Sequence, residues 1–340
     1  MSWMIRKNKI FLLSCCTILF VFVISLVLLV SFNRNRTTDK PVDMPRGADP
    51  AVQAQTKISE YKNPDAVVSV HELNTLLNDP RVVILDARCG NHKAYKINYI
   101  PEHIPGANPI LRSSYTDPAR DNRIAPPKQA QTLFRTGGFD NNARIILYGN
   151  DGLQGRVYWM MRMYGVENKI QILDGGLDKW KELKLNTESG KKGKPYSATG
   201  KFDFNPDKAN PNYYTNLNEV SSLMGDPDTL FVDARTKEEY IGGHIPFSVN
   251  MSPEDIFNED KTFKPMQELS VIASRIGITP DKTIIVYSNM GTRSSLLWVV
   301  LHELLGYENV KNYDGGFKEW SYRGREIDSG EQVPPAKQNS

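Results

Sequence analysis

The chain is expected to be an α/β protein. It should have two domains, each a parallel sheet with helices on both faces, preceded by one N-terminal transmembrane helix. Three observations predict this. Residues 10–32 form an apolar run without a charge, the remainder alternates short β-branched runs with helical stretches, and that remainder repeats itself.

Ile10–Phe32 is long enough for a helix of about 35 Å, which spans a hydrocarbon core. A cleaved signal peptide is the rival reading. The run ends Val30-Ser31-Phe32-Asn33, a poor small-x-small site, so an uncleaved anchor is expected. Arg6, Lys7 and Lys9 precede the span, and Arg34, Arg36 and Lys40 follow it. Basic residues set orientation, and a first span with a basic N-terminus keeps that end inside. The globular part is therefore expected outside the cytoplasm, on a single-pass membrane protein.

Residues 33–66 are polar and Pro-bearing and read as a tether. Beyond them the copies appear. Val82-Val83-Ile84-Leu85-Asp86-Ala87-Arg88 matches Leu230-Phe231-Val232-Asp233-Ala234-Arg235, and His103-Ile104-Pro105-Gly106 matches His244-Ile245-Pro246-Phe247. Ile145-Ile146-Leu147-Tyr148 matches Ile284-Ile285-Val286-Tyr287, and Asp174-Gly175-Gly176 with Trp180 matches Asp314-Gly315-Gly316 with Trp320. The offset of about 140 residues suits a duplicated domain rather than a solenoid unit. Apolar four-residue runs read as buried parallel strands, and strand–helix alternation implies a sheet covered on both faces. Ser69-Val70-His71-Glu72 has the form of a helix-start capping box. The division is 1–9 basic flank, 10–32 anchor, 33–66 tether, 67–189 first domain, 190–213 linker, 214–328 second domain and 329–340 polar tail.

Composition narrows the function. The net charge of +3 comes entirely from the first 32 residues, leaving 39 basic and 39 acidic side chains beyond them. That neutrality removes the electrostatic case for nucleic acid. The three cysteines, Cys15, Cys16 and Cys89, build neither a disulfide scaffold nor a zinc site. His103 and His244 lack ligand spacing, so no metal is expected, and no cofactor either.

In open parallel sheets ligands sit at the carboxyl ends of strands. The loop after Ile284–Tyr287 is Ser288-Asn289-Met290-Gly291-Thr292-Arg293, followed by an apolar helix over 294–305. Such a loop aims backbone N–H groups at one point and makes an anion cradle. Gly291 allows the curl and Arg293 adds a fixed positive charge.

Taken together, Asp-Ala-Arg after a strand, His-Ile-Pro-Gly, a strand ending in Tyr with a six-residue loop, and Asp-Gly-Gly-x-x-x-Trp resemble the rhodanese family. The resemblance covers about residues 67–328. It is similar to the tandem form of thiosulfate and mercaptopyruvate sulfurtransferases, in which an inactive first domain precedes a catalytic second. It implies that the first loop residue is a cysteine, which takes sulfur from a donor as a persulfide and passes it to an acceptor thiol or cyanide. Here that position is Ser288, a weak nucleophile without a neighbouring base. The first copy has Gly149 there, in a loop read as longer and reaching Arg156. Glu239 stands where some thiosulfate users carry an arginine.

These departures predict a protein that keeps an oxyanion- or sulfur-compound-binding loop at 288–293 but is degenerate for persulfide catalysis. Asp233, Arg235, Glu239 and His244 should support the loop edge. Its expected ligands are a small sulfur oxyanion or a thiol acceptor, and its protein partners are not legible. Two alternatives stay open. One is an active sulfurtransferase using Cys89 or another route. The other is a phosphatase- or arsenate-reductase-like enzyme.

Overall fold

The computed structural model describes residues 49–331, apart from 137, 138, 168, 192 and 194–199. The basic flank and the expected span at 10–32 lie outside the described residues. Among the described residues, no helix is long and apolar enough to cross a membrane.

Two five-stranded sheets carry the chain. In the first, β1 (Val67–Val68), β7 (Ile170–Leu173), β6 (Arg144–Tyr148), β2 (Val82–Asp86) and β3 (Asn108–Pro109) lie side by side in that order. In the second, β8 (Tyr214–Thr215), β12 (Val310–Tyr313), β11 (Thr283–Tyr287), β9 (Thr229–Asp233) and β10 (Val249–Asn250) repeat the arrangement. All pairings within these two sheets are parallel. The register repeats as well: Tyr148 lies opposite Asp86, and Tyr287 opposite Asp233. Helices cover both faces, so the central strands read as unbroken apolar runs. All five residues of β2 are buried. The capping box at the start of α2 (Val70–Leu76) is present in part, since Ser69 Oγ accepts the Glu72 N–H at 3.1 Å.

One apolar core runs across both domains, joining Val157, Met160 and Met161 of the first to Leu297, Trp298 and Leu301 of the second. Separate clusters fill the outer face of each sheet, closed by Trp180 and Trp320. The repeat is therefore two half-structures sharing a seam.

Two segments are more structured than the sequence suggests. The tether does not extend to residue 66, because Pro50–Ser59 forms a helix, α1, with Asp49 accepting the Ala51 N–H and proline at its first position. Ile58 and Tyr61 are buried, and the Lys57 ammonium sits 2.6 Å from Asp174. These few anchors are too sparse to leave a periodic signal. The linker is also packed where it is described. Phe202 is buried against Phe134, and its carbonyl accepts from Arg135 Nε at 2.8 Å.

Candidate functional site

The two loops after β6 and β11 are built alike. Each strand ends in a tyrosine, three residues follow, and a glycine with positive φ begins a helix. Gly152 (φ 82°) precedes α3, Leu153–Met163, and Gly291 (φ 67°) precedes α4, Thr292–Trp298. The first loop is thus no longer than the second, which corrects the sequence reading. Gln154, not Arg156, occupies the position equivalent to Arg293.

The loops meet at the seam because α3 and α4 pack backbone to backbone. A Cβ on Gly155 would lie 2.5 Å from Leu296 Cα, and one on Gly152 would lie 2.7 Å from the Thr292 carbonyl oxygen. Arg156 belongs to the other side of this seam. Its Nη1 donates to the Met290 carbonyl at 3.0 Å, and its Nη2 pairs with Asp314 at 2.6 Å, both side chains fully buried.

Ser288 lies at the base of its loop and is only 1% exposed. Its Oγ is 3.3 Å from Ser294 Oγ, which in turn donates to Asn312 Oδ1 at 2.7 Å. The Phe317 and Lys318 N–H groups close on the carbonyls of Ser288 and Asn289. No base is hydrogen-bonded to the Ser288 hydroxyl, so nothing in this network activates it.

Arg293 makes a two-pronged ion pair with Glu239, and the hydrogen bonds from Arg293 hold that carboxyl down at about 2. Glu239 also accepts the Thr236 N–H, closing a capping box. Asp233 and Arg235 form a bidentate pair, and Arg235 Nη2 donates to the Gly243 carbonyl at 2.6 Å. Asp86 and Arg88 repeat this pairing in the first domain. His244 is buried, donating from Nδ1 to the Tyr240 carbonyl at 2.8 Å and stacking on the Tyr240 ring. Asp233, Arg235 and His244 fix the sheet edge and do not line the cavity between the domains.

The open space lies elsewhere. A cavity of about 500 Å³ opens between the domains in front of the first loop, at Gly149, Asn150, Asp151, Gly152 and Gln154. The second domain supplies its far wall with Met251, Ile256, Phe257 and Phe263. Arg293 is the one residue of the 288–293 loop that lines it, while Ser288 does not. Its charged lining is balanced, with Arg88, Lys261 and Arg293 against Asp151, Asp178 and Glu254. Sequence patterns missed this wall because it forms only when residues about a hundred positions apart pack together.

Cys89 is fully buried, and burial pushes its thiol up to about 12. Among the described residues, no group of three or more His, Cys, Asp or Glu side chains is placed to hold a metal ion.

A family model described as Rhodanese-like domain matches residues 69–183 and again residues 216–323. The chain belongs to the rhodanese family. The match falls on both halves, in agreement with the duplicated sheets. The chain is 30% identical over 282 residues to the sulfur carrier protein TtuD of Thermus thermophilus, covering 76% of this chain and 95% of that protein. It is 32% identical over 242 residues to a Haloferax volcanii protein provisionally named a thiosulfate sulfurtransferase, covering 65% and 81% of the two chains. Among solved structures, YnjE superposes with a TM-score of 0.67 at 24% identity, covering 81% of this chain and 70% of that one. The anaerobic ergothioneine biosynthesis enzyme of Chlorobium limicola gives 0.67 at 21% identity, with 80% and 72% covered. These last two similarities establish the shared fold.

Proposed function

We propose that this rhodanese-family protein is membrane-anchored and binds a small sulfur compound, an oxyanion or an acceptor thiol, without carrying sulfur as a persulfide. The observation that carries the reading is the absence of a usable thiol at the loop. Residue 288 is a serine locked into a serine–asparagine network. Cys89, the one cysteine among the described residues, is buried and held in its thiol form. A thiolate is the form that attacks sulfur. The apolar run at 10–32 and its basic flank support a single-pass anchor with the two domains outside the cytoplasm.

The cleft supports the binding half of the reading. Arg293 stands at its edge, and backbone of the first loop borders it. The experiment is a thiosulfate–cyanide assay on the full-length chain. Wild type and Cys89→Ala should form no thiocyanate above the uncatalysed rate, and Ser288→Cys should acquire cyanide-labile sulfur. Wild-type turnover that disappears in Cys89→Ala would establish the Cys89 sulfurtransferase instead.

A further inference from the structure

We infer that the seam between the first domain and the 288–293 loop holds a small tetrahedral oxyanion, such as sulfate or thiosulfate, clasped by Arg112, Tyr115 and Arg156. This site is separate from the cleft, whose lining includes none of the three. It does not depend on whether the protein transfers sulfur.

Arg112 and Tyr115 begin and end the short helix Arg112–Tyr115, and residues three apart share a helix face. The chain then turns through an antiparallel hairpin, β4 (Thr116–Asp117) with β5 (Arg123–Ile124). The Tyr115 carbonyl accepts the Ala125 N–H at 2.8 Å, and the neighbouring Ile124 N–H donates to Asp314 Oδ2 at 2.9 Å. Asp314 Oδ1 pairs with Arg156, whose Nη2 also reaches the Asn122 carbonyl at 3.4 Å. The hairpin thereby brings the Arg112–Tyr115 turn to the Arg156–Asp314 pair.

Four donor atoms in this seam are buried without a protein partner: Arg112 Nε and Nη2, Tyr115 Oη and Arg156 Nε. Tyr115 and Arg156 are themselves fully buried. Nε and Nη2 form one edge of the Arg112 guanidinium, the fork that matches two oxygens of a phosphate-like group. A halide cannot satisfy both prongs with two separate acceptors. The charges agree with the geometry. Two guanidiniums face one buried carboxylate, Asp314, while the Asp151 side chain is largely in solvent. An unpaired buried charge is costly, and an anion removes that cost. Burial and the charge of Arg156 lower the pKa of Arg112, outweighing the opposing effects of Tyr115, Asp314 and Asp151.

The test uses the purified full-length chain, with sulfate titrated at constant ionic strength against chloride. Thermal unfolding and calorimetry are the readouts. Wild type should show a saturable rise in Tm and a measurable heat with sulfate. Arg112→Met should weaken sulfate binding at least tenfold, and Tyr115→Phe several-fold. In chloride alone, Arg112→Met should unfold no earlier than wild type, because it removes an unpaired charge; a purely structural arginine would give the opposite. Equal sulfate responses in wild type and both variants, no response at all, or a destabilised Arg112→Met would each overturn the proposal.

Discussion

Arg293 grips Glu239 with both terminal nitrogens, Nη1 to Oε2 at 2.5 Å and Nη2 to Oε1 at 2.9 Å. These residues come from different helices 54 positions apart, and the pair stands where Arg293 enters the cleft. The one cation that the 288–293 loop offers the cleft is thus already neutralised. An anionic ligand there must compete with an internal carboxylate.

That pairing sets a pH dependence. The folded-state pKa of Glu239 is depressed from 4.5 to about 2, so its stabilisation is complete above the ordinary value and is lost as pH falls towards 2. The carboxylate side chain is 38% exposed, so solvent screening limits the effect to about 1 kcal/mol or less. Between about pH 5 and 2.5, Tm should fall less steeply in Glu239→Gln than in wild type. Parallel curves would show that the pair contributes nothing.

The seam should be intolerant of a single methyl group. Gly155→Ala places a Cβ on the Leu296 backbone, and neither helix can yield without moving the shared core. Overpacking of this kind costs about 1–3 kcal/mol. Urea unfolding of the variant should show that loss, whereas unchanged stability would mean that the domains pack less tightly than described.

Cys89 should be chemically silent in the folded protein. With Cys15 and Cys16 replaced by serine, its thiol should resist a thiol-specific disulfide reagent at pH 8 and react fully once unfolded. Rapid labelling of the native chain would contradict both its burial and its raised pKa.

Much of the fold was legible because doubly covered parallel strands are continuous apolar runs, as in 82–86 and 283–287. The duplicated motifs then gave the domain count. Two-residue strands such as β1 and β3 leave no such run. Helix α1 buries only Ile58 along its length, so its register is invisible in the sequence. At the site, the curl around Gly291 followed from loop chemistry, and the structure gives it φ 67°. The crossing of Arg156 to Met290, the neutralisation of Arg293 and the cleft wall did not, because each depends on residues remote in sequence coming together. Glu239, at a position where the resemblance to thiosulfate users implies an arginine, pairs with Arg293 instead.

The decisive measurement is the thiosulfate–cyanide assay on the full-length chain, read as thiocyanate formed. No turnover above background is expected in wild type or in Cys89→Ala, and cyanide-labile sulfur should appear only in Ser288→Cys. Sustained thiocyanate production by wild type would contradict that expectation.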